Sequence, residues 1–328
     1  MKKKEGKAIA VIMSLLLWLV SCLLSGAALA TEKDFPKKEI TIIVNFGAGG
    51  GRDILARGVG KVMSKHLGVP IVVMNMPGAG GARGLIQLYH SAPDGYTMGV
   101  GAASEVVDQI LQKQDYDNKK FTYIGRAQSM PLFFFVKSDS SFRSLKDFKT
   151  FGKPIRHSAF SLGAPSTVAG MILANRENFP LTIVGGYQGV AAAILGLIRG
   201  EVEFTGAQLS TTISYVRAGQ LRPIVTLDQK RSPDFPDIPT IGEFGHKDLE
   251  NCGLDYWFMA PPEVPKARTQ ILEEALMKTL KDPEFITWAK GASVDPGPLS
   301  GEETTKMVLN LFKLFEPYKG DIEKYIKK

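Results

Sequence analysis

Cysteine and histidine are scarce in this 328-residue chain, which contains two cysteines and four histidines. Cys22 lies in an apolar N-terminal segment, so removal of that segment would leave Cys252 without a partner for an intramolecular disulfide. The histidines stand far apart and lack the spacing of metal ligands. The sequence therefore predicts neither a disulfide-stapled domain nor a metal site.

Motifs of nucleotide-binding proteins and of common hydrolases are also missing. In two glycine clusters, an arginine (Arg52 or Arg83) occupies the third glycine position of G-x-G-x-x-G. No G-x-x-x-x-G-K-[ST] phosphate loop, G-x-S-x-G nucleophile elbow or H-E-x-x-H zinc motif occurs. We therefore expect no cofactor and no catalytic residues, with a secreted hydrolase as the less favoured alternative to a binding protein.

The N-terminus has the order of a secretory signal peptide. Four lysines within the first seven residues precede an apolar run at 8–24, and Ala28-Leu29-Ala30 follows. The apolar run is shorter than the ~20 residues of a membrane-spanning helix. We expect cleavage after residues 1–30 and a periplasmic or otherwise extracytoplasmic location. The segment at 19–22 also resembles a lipobox, which would leave Cys22 lipidated.

Charges are nearly balanced beyond this segment. The chain has 40 basic and 33 acidic residues, and loss of four lysines and Glu5 with residues 1–30 leaves 36 and 32, a net charge of +4. A mild positive charge suits anionic small solutes. It is too diffuse for a nucleic-acid interface, which would cluster lysine and arginine.

Strand-like and helix-like segments alternate along the rest of the chain. A β-branched run at 40–44 precedes a helical pattern at 53–67, and a second such pair covers 71–74 and 82–90. The alternation starts again after an apolar strand at 131–136. This order predicts an α/β fold with mostly parallel sheets.

The repetition also predicts two lobes. We expect one lobe from 31–127 plus 255–328 and a second from 128–254. Two chain crossings would then join them as a hinged clamshell with a ligand cleft between the lobes.

The glycine cluster at 47–51 is the strongest local signal. It lies between a predicted buried strand and a predicted helix, where main-chain N–H groups and the helix dipole favour an anion. Asp53, at the start of the helix, could accept a hydrogen bond from a ligand or only stabilise the helix dipole. A tight turn that needs glycine is the alternative reading of the cluster. The second cluster, at 77–81, is interpreted as a packing turn.

A polar loop at 158–166 offers a second set of donors, in the middle of the chain. Its serines and glycine, with Thr167, could hold a carboxylate from the opposite lobe. Ordinary helix capping by Ser166 is the alternative. Arg52 and Arg83 could pair with a second carboxylate of the ligand or form part of the exposed surface.

Five ordered motifs run through nearly the whole chain after residue 30. Residues 45–57 fit P-F-x-x-G-G-x-x-D-x-x-A-R with Asn45 in place of proline, and residues 75–81 fit N-x-P-G-A-G-G. A-P-D-G-Y-T follows at 92–97, K-R-S-x-x-x-P-D-x-P-T is approximated at 230–240, and W-x-x-A-P occurs at 257–261. In these motifs the chain resembles the substrate-binding receptors of tripartite tricarboxylate transporters, also called Bug receptors.

The resemblance implies a two-lobed periplasmic-binding-protein clamshell of type II, the Venus flytrap class, that binds a small carboxylate. Its partners would be the integral-membrane subunits of the transporter, with the receptor itself a monomer. The ligand contacts carried over are Phe46, Gly47, Ala48, Gly49, Asp53, Ala103, Ser104, Ser161, Gly163, Ala164, Ser166 and Tyr187.

Two points stay open at this stage. The family's G-x-G-[TS]-x-x-H is replaced by the sequence at 161–167, which leaves the second-lobe contacts less defined. A module that senses a ligand for a signalling partner would use the same clamshell.

Overall fold

The structure is a computed structural model that describes residues 35–159, 163–187, 189–292 and 294–326. The predicted signal peptide and Ser161 lie outside the described residues. Among the helices that the structure describes, none is both long and apolar enough to cross a membrane.

Six strands form the first sheet, in the order β11-β4-β10-β3-β1-β2. These strands are β1 (Ile40–Val44), β2 (Ile71–Asn75), β3 (Thr97–Ala102), β4 (Thr122–Met130), β10 (Leu254–Ala260) and β11 (Pro296–Ser300). The second sheet has five strands, in the order β7-β6-β8-β5-β9. They are β5 (Leu132–Lys137), β6 (Ile155–Ser158), β7 (Leu181–Val184), β8 (Phe204–Gln208) and β9 (Leu221–Thr226).

Both sheets are mixed, so the prediction of mostly parallel sheets is wrong. β1 pairs in parallel with β2 and β3, and β6 with β7 and β8. β10 enters the first sheet antiparallel to both β3 and β4, and β5 lies antiparallel to β8 and β9. β11 also pairs antiparallel with β4, at the edge of the first sheet.

Helices cover the sheets between these strands. They are α1 (Gly51–Leu67), α2 (Ala82–Tyr89), α3 (Ala103–Leu111), α4 (Lys146–Thr150), α5 (Pro165–Glu177), α6 (Val190–Ile198), α7 (Leu209–Arg217), α8 (Lys266–Lys281), α9 (Pro283–Gly291), α10 (Gly301–Phe315) and α11 (Lys319–Ile326). Short 3₁₀ turns at Ala79–Gly81, Ile241–Phe244, Lys247–Asn251 and Glu316–Tyr318 complete the set.

Local sequence explains where the main helices begin and end. α1 ends at Gly68, whose φ of +71° is the left-handed conformation that glycine adopts at little cost. α10 begins with a capping box, in which Ser300 Oγ accepts from the Glu303 amide and Glu303 accepts from the Ser300 amide. These residues fix the C-terminal end of α1 and the N-terminal end of α10, two helices that flank the first sheet.

The chain passes between the sheets twice. β4 ends at Met130 in the first sheet and β5 begins at Leu132 in the second, while β9 in the second sheet is followed by β10 in the first. The exact lobe boundaries of the sequence analysis stay a prediction. A shared apolar cluster includes Val106 of α3, Val168 of α5 and Phe312 of α10, so the two sheets are joined by packed side chains as well.

Candidate functional site

The loop after β1 presents main-chain donors at the carboxyl end of a parallel strand. Residues 46–50 are exposed, and the helix α1 begins directly after them. The amides of Gly47 and Ala48 donate to no atom of the described residues. A Cβ built on Gly47 would meet nothing within 4 Å, so the space above the loop is open. This combination of free amides and a helix N-terminus favours an anion.

Asp53 holds that loop in shape. Its Oδ2 accepts from the Gly49 amide at 2.9 Å and from Arg57 Nε at 3.1 Å, and its Oδ1 accepts from Asn75 Nδ2 at 3.0 Å and lies 2.9 Å from Arg57 Nη2. The Arg57 guanidinium, with the Gly49 and Asn75 bonds, lowers the pKa of this carboxyl to about 2. Both carboxylate oxygens of Asp53 and the Gly49 amide are therefore hydrogen-bonded within the protein. Asp53 thus stabilises the conformation of the loop.

Arg52 turns inward and is only 8% exposed. Its Nη1 donates to Asn45 Oδ1 at 2.8 Å and forms a close ion pair with Glu105, and its Nη2 donates to Ser104 Oγ at 2.9 Å. The guanidinium carbon lies 4.6 Å from the centre of the Phe46 ring. Arg52 is therefore paired with a carboxylate of the protein, whereas Arg83 is exposed on the surface.

The start of α3 connects to this network. Glu105 Oε2 accepts from the Ala102 amide at 2.8 Å, and its Oε1 accepts from Asn45 Nδ2 at 3.0 Å. Ala103 is buried and Ser104 partly exposed at the first turn of the helix. Phe46, Asp53 and Ser104 thus belong to one connected corner of the first sheet.

One turn further along α3, Asp108 is half-buried and its carboxylate makes no hydrogen bond to the described residues. Burial raises its pKa to about 6, the neighbouring Glu105 adds to the rise, and Arg52 opposes it. Sequence reasoning missed both acids because it missed α3, although the apolar residues at 106, 107 and 110 have helical spacing.

The second-lobe loop lies against α3. A Cβ on Gly163 would come within 3.2 Å of Asp108 Oδ1 and 3.6 Å of Val107 Cγ1. The structure thus brings Gly163, two residues before α5, against the helix that follows β3 of the first sheet. Ala164 and Ser166 follow Gly163 and are buried.

The structure corrects one expectation for the second lobe and locates two of its predicted ligand contacts. α5 begins at Pro165 after Ala164 without a side-chain cap, so the alternative of capping by Ser166 is wrong. A Cβ on Gly206 would come within 2.2 Å of Ser166 Cβ, which places Ser166 against β8. Tyr187 packs over Gly196 and donates its hydroxyl to Glu201 at 2.9 Å, within its own lobe.

Comparison with known proteins identifies the group to which this arrangement belongs. A family model described as the tripartite tricarboxylate transporter family receptor matches residues 55–317. The chain belongs to this receptor family. The resemblance noted in the sequence is confirmed, and the protein is a solute-binding receptor of the TctC and Bug group.

Relatives with known sequence or structure agree with this assignment. A UPF0065 protein of Agrobacterium vitis is 28% identical over 307 residues, which are 90% of this chain and 85% of the relative. A TctC solute-binding protein from Polaromonas has a TM-score of 0.78 at 22% identity and covers 88% of this chain and 99% of its own. MatC from Rhodopseudomonas palustris, solved with bound malate, has a TM-score of 0.67 at 25% identity, with coverages of 86% and 99%. The two-lobed periplasmic-binding-protein fold is thereby confirmed.

The receptor also has a cavity outside the predicted site. It has a volume of about 400 Å³ and lies beside the chain crossings, between the Arg126–Asp255 ion pair and residues of α10. The glycine loop after β1 does not line this cavity. In the part of the receptor that the structure describes, no group of three or more His, Cys, Asp or Glu side chains is placed to hold a metal ion.

Proposed function

We propose that the receptor captures a small carboxylate at the free amides of Gly47 and Ala48. The exposed loop at 46–50 and the N-terminus of α1, a helix of 17 residues, supply partial positive charge at this point. Gly163, two residues before α5, lies against α3, and its loop would approach the same ligand from the second lobe. The free amides at the carboxyl end of β1 are the observation that carries this proposal.

The class of ligand is supported by a relative. MatC, at 25% identity, is described with bound malate. Malate is a small dicarboxylate, and the N-terminus of α1 can hold one of its carboxylate groups. We therefore place small dicarboxylates first among the candidates.

We propose that the receptor binds its ligand without chemical turnover. The groups that would suit catalysis are tied up: His157 is buried and bonded to the Phe204 carbonyl, and burial lowers its pKa to about 4. Burial raises the pKa of the Cys252 thiol, which makes it a poor nucleophile. His246 pairs with Glu177 at 2.7 Å rather than with a serine or cysteine.

We also propose how the receptor reaches its partners. Export by the segment at 1–30, or anchoring through Cys22, would place a monomeric receptor next to the membrane subunits of its transporter. Mass spectrometry of the N-terminus distinguishes the two, because a lipidated Cys22 and a chain starting at Thr31 differ in mass. Residue 1 still present in exported protein would contradict both.

Two experiments test the proposed function. Mass spectrometry of receptor purified under native conditions should show a co-purifying small carboxylate. Calorimetry against malate, succinate, aspartate, citrate and benzoate should show saturable binding of at least one, with no product formed over hours. Absence of binding to every carboxylate, or steady turnover of one of them, would contradict the proposal.

A further inference from the structure

α3 carries two acids on one face, and the protein uses them differently. Glu105 and Asp108 are three residues apart, so their side chains project from the same side of the helix. Glu105 is buried and bonded to Asn45, Arg52 and the Ala102 amide. Asp108 makes no hydrogen bond to the described residues, even though it is half-buried. Partial withdrawal of a carboxylate from water costs free energy, which a hydrogen-bond donor of a ligand could recover.

The position of Asp108 is where the two lobes meet. Its Oδ1 would be 3.2 Å from a Cβ on Gly163, so the second-lobe loop packs closely against this carboxylate and a larger residue at 163 would crowd it. Arg52, which links the loop after β1 to Ser104, is close enough to act on the charge of Asp108. Asp108 therefore lies on the part of α3 that contacts the second-lobe loop, one turn along the helix from Ser104.

We propose that Asp108 is a specificity-determining residue, which selects carboxylates that also carry a hydrogen-bond donor. A ligand hydroxyl or ammonium would donate to the Asp108 carboxylate, while a ligand with a methylene at that point would leave the carboxylate unpaired. A third carboxylate there would be repelled. This inference rests on the proposed function and adds a substrate class to it: hydroxy- or amino-substituted small carboxylates.

The physical basis is the difference in free energy between a half-buried carboxylate that accepts a hydrogen bond from the ligand and one that does not. A site built to bond a ligand donor rejects an analogue that lacks the donor, because its own polar group then stays unpaired. Asparagine at the same position would keep the shape and remove the charge. Its amide can accept from a donor or donate to a carboxylate, so it would discriminate less.

The test uses malate and succinate, which differ by one hydroxyl, and aspartate, which has an ammonium in its place. Calorimetry is run on the wild type, on Asp108→Asn, and on Asp115→Asn. Asp115 is exposed, so this control makes the same change in net charge away from the lobe contact. We expect the wild type and the control to prefer malate or aspartate over succinate by roughly tenfold to a hundredfold, and Asp108→Asn to lose most of that preference. Whichever of malate and aspartate binds the wild type more tightly identifies the ligand donor as a hydroxyl or an ammonium group.

Each outcome has a defined meaning. An unchanged ratio of affinities in Asp108→Asn, or a wild type that prefers succinate, overturns the role of Asp108 while the proposed function stands. Absence of binding to all three ligands and to the wider panel overturns the proposed function, and the role of Asp108 with it. Should Asp108→Asn fold poorly, Asp108→Ser provides the same ratio, which does not depend on the fraction of folded protein.

Discussion

Arg52 and Glu105 form an ion pair that joins the loop after β1 to the start of α3. Their side chains are 9% and 3% exposed, so the pair is almost fully withdrawn from water. Asn45 bonds to both partners, accepting from Arg52 Nη1 and donating to Glu105 Oε1. The two elements that carry the predicted first-lobe contacts are thereby fixed to each other.

Breaking this pair should destabilise the receptor. Glu105→Gln keeps the size of the side chain and leaves the Arg52 charge buried without a counter-charge, at a cost of about 3 kcal/mol or more. Urea denaturation measures the loss in the free energy of unfolding. Glu302→Gln is the matched control, since Glu302 and Lys306 are 78% and 68% exposed and such pairs contribute less than about 1 kcal/mol. Equal losses in the two variants would contradict the assigned role of the buried pair.

Replacement of Asp53 should weaken ligand binding through the loop. Asp53→Ala removes the acceptor of the Gly49 amide and the partner of Arg57 and Asn75, so the loop at 46–50 loses its fixed shape. We expect affinity for the bound carboxylate to fall by about tenfold or more, the equivalent of one good hydrogen bond. Arg83→Ala, which changes an exposed side chain near the second glycine cluster, should alter it less than about twofold. Calorimetry compares the two, and similar affinities would remove Asp53 from the site.

Asp108 should make stability depend on pH. Its pKa of about 6 in the folded receptor lies above the ordinary 3.8, so the folded state holds the proton more tightly than the unfolded state. Stability should therefore decrease as pH rises from about 4 to about 6, through the action of burial and Glu105, opposed by Arg52. Asp108→Asn should raise the melting temperature at pH 7 and lose this advantage near pH 4. A melting temperature below that of the wild type at pH 7 would contradict this.

The thiol of Cys252 should be unreactive in the native receptor. It is fully buried, and burial raises its pKa far above that of an exposed thiol. A thiol-specific chromogenic reagent should react with it only after guanidinium is added. A stoichiometric reaction within minutes in native buffer would show that the segment at 247–252 opens readily.

The sequence patterns predicted the elements whose signals are local. The strand predicted at 71–74 and the helix predicted at 82–90 occur within one residue of these limits, and the glycine loop lies between a strand and a helix as expected. The buried charge pair could not be predicted, because Arg52 meets a partner that lies 53 residues away in the chain. The same applies to β10, whose antiparallel place in the first sheet depends on the return of the chain from the second.

The hydrogen bonding of the main-chain amides in the loop after β1 could not be predicted from the sequence either. Four glycines within five residues predicted an anion site, which stays a prediction, and the structure shows that the loop is exposed. That the Gly49 amide donates to Asp53, while the Gly47 and Ala48 amides donate to none of the described residues, is a property of the folded loop.

Amide NMR tests the central claim most directly, because it observes the proposed donors themselves. In ¹⁵N-labelled receptor, addition of the carboxylate identified by calorimetry should shift the Gly47 and Ala48 amide protons and protect them from exchange. The amides of Gly78 and Gly80, in the second glycine cluster, should stay unchanged. Saturable binding that leaves the Gly47 and Ala48 signals where they were would contradict the account.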